Sequence, residues 1–236
     1  MSISRRHVRA IFRKELREYR HNGSIVWTMA VIPLVFVLPT IINVFGVAAG
    51  SVHADLLLYM LGIPALVPAV VAAYSVVGER QQGTLEPVLT TPISREEFML
   101  GKALAALVPS LVIAYGVYVV VVACIELFAQ PGVAAELVRW PELLAQLLFT
   151  PLLAAWSIWV GIAISARSSD VRVAGQLSLL ASLPSVAVTT LIALNVIPPT
   201  LGLALGAAAV LLILDGLGWR LTSAAFDRER LITGTR

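Results

Sequence analysis

The chain has 236 residues, of which 58% are hydrophobic and 13% charged, where an ordinary soluble domain carries roughly 25% charged residues. A mean hydropathy of +0.89 excludes both a soluble globular protein and a disordered one, and a single cysteine, Cys124, excludes a disulfide framework or a cysteine-rich metal centre. An integral membrane protein remains. A spanning helix takes about 20 apolar residues, so six spans use roughly half of the chain and leave no room for a large soluble domain.

In chain order, residues 1–23 come first. They are rich in arginine, and Val8, Ile11, Phe12, Leu16 and Tyr19 recur at helical spacing on one face. This predicts an amphipathic helix lying in the inner membrane interface. It is not a secretory signal, because no apolar core leads to a small-residue cleavage site, and Glu15 and Glu18 are atypical of a transit peptide. Apolar runs with almost no charge then follow at 24–49, 55–77, 103–127, 141–165, 173–194 and 200–217. The expected fold is therefore all-α and polytopic, with six spanning helices in a membrane domain over 24–220 and a tail over 221–236. The last two spans are separated only by Asn195-Val196-Ile197-Pro198-Pro199, which reads as a tight turn.

Orientation follows from the cations. With the N-terminus in the cytoplasm, Arg139 is the only one of the 17 lysines and arginines on the outer side, so the positive-inside rule places both termini in the cytoplasm of a cell-membrane protein. The net charge of +3 expresses this asymmetry between leaflets and does not point to a nucleic-acid partner. Trp27 and Trp219 fall at the inner interface and Trp140 at the outer one, as belt anchors do.

Within the spans, Pro33, Pro39, Pro64, Pro68, Pro109, Pro151 and Pro184 predict kinked or broken helix packed against protein or water. Gly202 and Gly206 have the spacing of close helix packing. Asp215 is the one acid well inside a span, and Arg220 is near enough in sequence to suggest a pair. Glu126 should meet water at the outer end of the third span. Uncharged polar candidates for a transport pathway are Asn43, Ser110, Tyr115, Ser157, Gln176, Ser178, Thr189 and Thr190. So few fixed charges suit an apolar or amphipathic cargo better than a bare ion.

The connection at 78–97 is the most patterned part of the chain. Gly83 and Pro92 bracket a short stretch in which Leu85, Val88 and Leu89 fall at i, i+3 and i+4. It reads as a brief helix with one apolar face, capped by Thr84, with Pro87 in its first turn. Ser94 and Glu97 then have capping-box spacing, and Ile93 and Phe98 the spacing of a hydrophobic staple. The apolar face must be covered by the membrane surface, by the basic N-terminal helix or by a soluble partner.

The run Glu79-Arg80-Gln81-Gln82-Gly83-Thr84-Leu85-Glu86, continued through Leu89, Thr91-Pro92-Ile93-Ser94-Arg95 and Gly101-Lys102, resembles the signature loop of ABC transporter type-2 permeases. The likeness is specific over about twenty-five residues, and the six-span topology agrees with it. It implies that the loop holds a coupling helix seated in a groove of an ABC ATPase subunit, with Glu79, Arg80, Gly83, Thr84, Leu85, Glu86, Val88 and Leu89 carrying the coupling. It also implies a second permease chain, identical or paralogous, to enclose the pathway. Gln81 stands where the family often has an acid, Pro87 is unusual in the coupling element, and the link at 195–200 leaves little room for the re-entrant helices that better-known relatives place there.

No phosphate-cradling loop occurs in the sequence, so ATP and Mg are expected in the partner ATPase and no cofactor in this chain. Enzymatic readings lack residues as well. There is no H-E-x-x-H or G-x-S-x-G motif, and His7, His21 and His53 all fall outside the spans. The expectation is an exporter permease subunit for a lipid, drug or glycoconjugate. An ion-coupled secondary transporter using Asp215 and a non-transporting membrane scaffold are the rival classes.

Overall fold

A computed structural model describes residues 4–46, 55–81, 83 and 93–225, and among these every regular element is helical. A first helix, α1 (Arg5–His21), precedes α2 (Gly23–Gly46). A 3-10 turn over Leu56–Leu61 leads into α3 (Gly62–Gln81). Next come α4 (Arg95–Phe128), a short α5 (Pro131–Leu137), α6 (Trp140–Arg167), α7 (Val171–Ala193) and α8 (Leu201–Ala225). Six of these, α2, α3, α4, α6, α7 and α8, are long and apolar enough to cross a membrane.

The bundle is built around α3. Lipid gives helices no hydrophobic reason to associate, so the innermost helix is one with small side chains that let its neighbours approach. Ala65, Val67, Ala69, Val71, Ala72, Ala73, Val76 and Val77 of α3 are all fully buried. Helix α6 packs on α3 most extensively, followed by α7, with α4 and α2 completing the ring. The closest approach is at Gly161 of α6, where a Cβ would lie 2.5 Å from the Ala69 carbonyl oxygen. Helix α8 rests mainly on α6 and leaves almost its whole surface open. Gly202 and Gly206 have nothing within 4 Å of a would-be Cβ, so the close packing expected of them does not occur within this chain.

Helix α4 starts at Arg95, eight residues before the apolar run that marks its span, because Ser94 and Glu97 form a complete capping box there. Its 34 residues make about 51 Å of helix against about 30 Å of hydrocarbon, so it extends past the membrane core. Ile93 packs against the cluster that holds Phe98, in keeping with the staple. The short α5 was not anticipated from the sequence.

The prolines do not break the helices. Pro33, Pro39, Pro68, Pro109, Pro151 and Pro184 all sit inside continuous helix, and Pro64 lies in the first turn of α3. At Pro151 the replacement bond is visible. Proline cannot donate to the Leu147 carbonyl, and the Tyr115 hydroxyl of α4 donates to that oxygen instead at 2.9 Å.

Between α7 and α8 the chain makes the expected tight turn. Asn195 takes the left-handed conformation with φ 57, and the amides of Val196 and Ile197 return to the Leu191 carbonyl. Asp215 and Arg220 do not pair. Residues five apart on a helix point about 140° from one another, and Arg220 is exposed while Asp215 Oδ1 is buried without a hydrogen-bond partner.

Candidate functional site

Among the described residues the largest fully buried side chain is a lysine, Lys102 of α4. A buried ammonium is tolerated only where every proton finds an acceptor. Lys102 Nζ donates to Glu15 Oε1 of α1 at 2.8 Å and to the Ser75 carbonyl of α3 at 2.6 Å, and it lies 3.3 Å from Glu79 Oε1. The Phe98 ring covers it, 4.9 Å from the ring centroid. Glu15 and Glu79 are as buried as the lysine they share.

A second lysine joins from α1. Lys14 donates to Glu79 Oε1 and stands 3.5 Å from Glu15 and 3.2 Å from Glu18. Burial disfavours its charge, but the hydrogen bond and charge of Glu79, with Glu15 and Glu18, outweigh that and raise its pKa above the ordinary 10.5. Tyr19, one turn beyond Glu15, is buried in the same place, and burial together with the charge of Glu15 pushes its phenol well above the usual value.

Helix α1 folds as the periodicity predicts and buries Ile11 and Tyr19, with Glu15 between them on the same stripe. Its seat on α4 is shaped by Gly101, where a Cβ would come 2.7 Å from Ile11 Cγ2. A further clamp holds its start. Glu97 accepts from the Ser4 amide at 2.6 Å and from the Ser94 amide at 3.0 Å, and lies 3.0 Å from His7 Nδ1. One carboxylate therefore closes the cap of α4 and fixes the entry of α1.

The result is a strap. Helix α1 is bonded to Glu79, three residues before the 82–92 segment, and to Glu97 and Lys102 just after it. Displacing either root of that segment disturbs buried charge. The roots also connect to α6, because the amides of Val76 and Val77 in α3 donate to Ser165 Oγ at 3.1 and 3.0 Å.

Of the residues assigned to coupling from the sequence, Glu79 sits in this knot. Arg80 lies on the last turn of α3, and Gly83 is exposed with φ 67, a left-handed conformation that glycine adopts without strain. Thr84, Leu85, Glu86, Val88 and Leu89, with the brief helix expected there, lie outside the described residues.

The pathway candidates are dispersed. Asn43 and Gln176 are exposed, and Asn43 donates to the Pro39 carbonyl of its own helix. Ser157 is buried and donates to the Ala65 carbonyl of α3 at 2.7 Å. Ser110 and Ser178 are buried with unpartnered hydroxyls. Thr189 bonds its own helix at Val186, and Thr190 is half-buried.

Glu15, Lys14 and Lys102 were not singled out as a site in the sequence. A signal was present: Glu15 falls on the apolar stripe of α1, and Lys102 abuts the apolar run of the third span.

Six apolar helices around a small-residue core, with an amphipathic helix strapped across the roots of one inter-span segment, define a polytopic membrane protein whose inter-span segment is anchored at both ends. The family model described as "ABC-2 type transporter" matches residues 6–211, and the chain belongs to that family. It is accordingly a membrane permease subunit of an ABC transporter. Comparison with curated proteins finds no match.

Proposed function

We propose that this subunit serves an exporter, that its termini are cytoplasmic, and that it is driven by a separate ABC ATPase docking on the 82–92 segment. The observation that carries this reading is the buried Lys102–Glu15–Glu79 knot, which makes α1 and both roots of the segment move as one body. ATP and Mg act in the ATPase. When its nucleotide dimer closes, Leu85, Val88 and Leu89 are pushed, and α3, the central helix, is displaced through Glu79. Two permease chains then alternate the exposure of a cavity between them, and the open face of α8 is available to lipid or to that second chain. An apolar or amphipathic cargo, such as a lipid, drug or glycoconjugate, suits walls so poor in fixed charge.

Co-expression with its ATPase tests the coupling. Leu85→Asp or Leu89→Asp should abolish cargo-stimulated ATP hydrolysis in the purified complex while membrane insertion stays normal. Undiminished stimulation would contradict the docking role.

One observation favours a second reading, an ion-coupled carrier. Asp215 keeps a buried carboxylate oxygen without a partner, and intramembrane carboxylates commonly serve proton or ion movement. Transport that persists without ATP and fails in Asp215→Asn would select it.

A further inference from the structure

A second polar cluster lies at the opposite end of the bundle, in the seam between α4 and α6. Glu142 and Gln146 occupy one face of α6 a turn apart, 3% and 2% exposed, and Tyr118 of α4 is 6% exposed. The helices run antiparallel, and the Tyr115–Leu147 bond sets their register. Tyr118, one turn further along α4, therefore stands level with residues 143–144, between Glu142 and Gln146.

Three oxygens here have no hydrogen-bond partner: Glu142 Oε2, Gln146 Oε1 and the Tyr118 hydroxyl. Gln146 is held by one side-chain bond. Its Nε2 donates to Thr150 Oγ1 at 3.1 Å, which leaves the buried Oε1 as a free acceptor.

The cluster continues to the outer end of the bundle. Arg139 Nη2 bonds both Glu142 and Asp55, and Asp55 also accepts from Asn195 at 2.7 Å. One guanidinium faces two carboxylates, and no other lysine or arginine occurs between residues 103 and 166. Buried oxygens without partners are rare and costly. Two acceptor oxygens, one of them a carboxylate's, and a hydroxyl are complementary to a single small positive charge.

We propose that Tyr118, Glu142 and Gln146 form a binding site for a small monovalent cation, either a bare ion or the ammonium group of a larger molecule. The inference is separate from the coupling reading, because binding here involves neither ATP nor the ATPase.

The test uses the purified chain in lipid nanodiscs in choline chloride, titrated with sodium, potassium and methylammonium. Its readouts are the unfolding midpoint and the emission of the tryptophans, Trp140 being two residues from Glu142. A saturable rise in midpoint is expected with at least one of them. Tyr118→Phe and Gln146→Leu should each weaken the apparent affinity about tenfold or more, and the midpoint of Tyr118→Phe in choline alone should not fall, since the hydroxyl it removes has no partner to lose. Saturation by sodium or potassium identifies a bare ion, and saturation by methylammonium alone identifies an amine-bearing ligand. Absence of saturable binding by all three, or unchanged affinity in both variants, would overturn the site.

Discussion

At the scale of single residues, Lys102 decides most. It is held by Glu15, Glu79 and a backbone carbonyl, so removing its charge leaves two buried carboxylates to share Lys14 at their edge. Breaking a buried ion pair from one side costs about 3–5 kcal/mol, whereas replacing the whole pair by apolar groups costs far less. Lys102→Met should therefore destabilise the chain by about that amount in a denaturant titration, and Glu15→Leu added to it should recover part of the loss. Strict additivity of the two changes would show that the residues do not act as a unit. Lys14 adds a pH expectation. Its pKa is raised, so its contribution is complete below the ordinary 10.5 and is lost only as pH climbs through the higher folded value. Amide exchange in the turn from Glu15 to Tyr19 of α1, away from the His7 clamp, should at a given temperature and corrected for the intrinsic rate accordingly not change between about pH 6 and pH 9. A loss of protection inside that window would exclude Lys14 as the cationic partner of Glu79.

At the scale of elements, two glycine positions give opposite expectations. A side chain at Gly161 collides with the backbone of α3 at Ala69, which cannot move aside. Gly161→Leu should lower the unfolding midpoint by the equivalent of about 3 kcal/mol, while Gly202→Ala on the open face of α8 should be close to neutral in the isolated chain. At Gly101 the obstruction is a side chain, Ile11, so Gly101→Val should loosen α1 and speed its amide exchange while the six spans keep their protection.

The same elements show what was legible in the sequence. Hydropathy located all six spans, because a run of some 20 apolar residues is a signal local to the chain, and the capping box at Ser94 and Glu97 was legible for the same reason. The knot was not, since Glu15, Glu79 and Lys102 come from three distant stretches and look individually like the charged ends of apolar segments. Glu142 was overlooked similarly, two residues after Trp140 at the mouth of a span. The expected Asp215–Arg220 pair failed on helical geometry, and the stripe at Gly202 and Gly206 was real in sequence but faces away from the rest of the chain. The coupling residues from Thr84 to Leu89 rest on pattern and resemblance alone.

At the scale of the whole molecule, the distribution of burial outlines how force would travel. Helix α3 is enclosed by its neighbours and carries Glu79 in its last turn, and α1 ties that end to α4. A push on the 82–92 segment is thus delivered to the core of the bundle before it reaches the periphery, where α8 has little to hold it. The most direct measurement of this arrangement is site-specific cross-linking. Cys124 is the sole cysteine, so Cys124→Ala gives a thiol-free background into which Val88→Cys can be introduced. In a complex assembled with its ATPase, that thiol should cross-link to the ATPase subunit, resist a membrane-impermeant maleimide added to intact cells, and lose cargo-stimulated turnover once linked. Labelling from outside the cell, or a complex that hydrolyses ATP at full rate with the thiol freely reactive, would contradict the account.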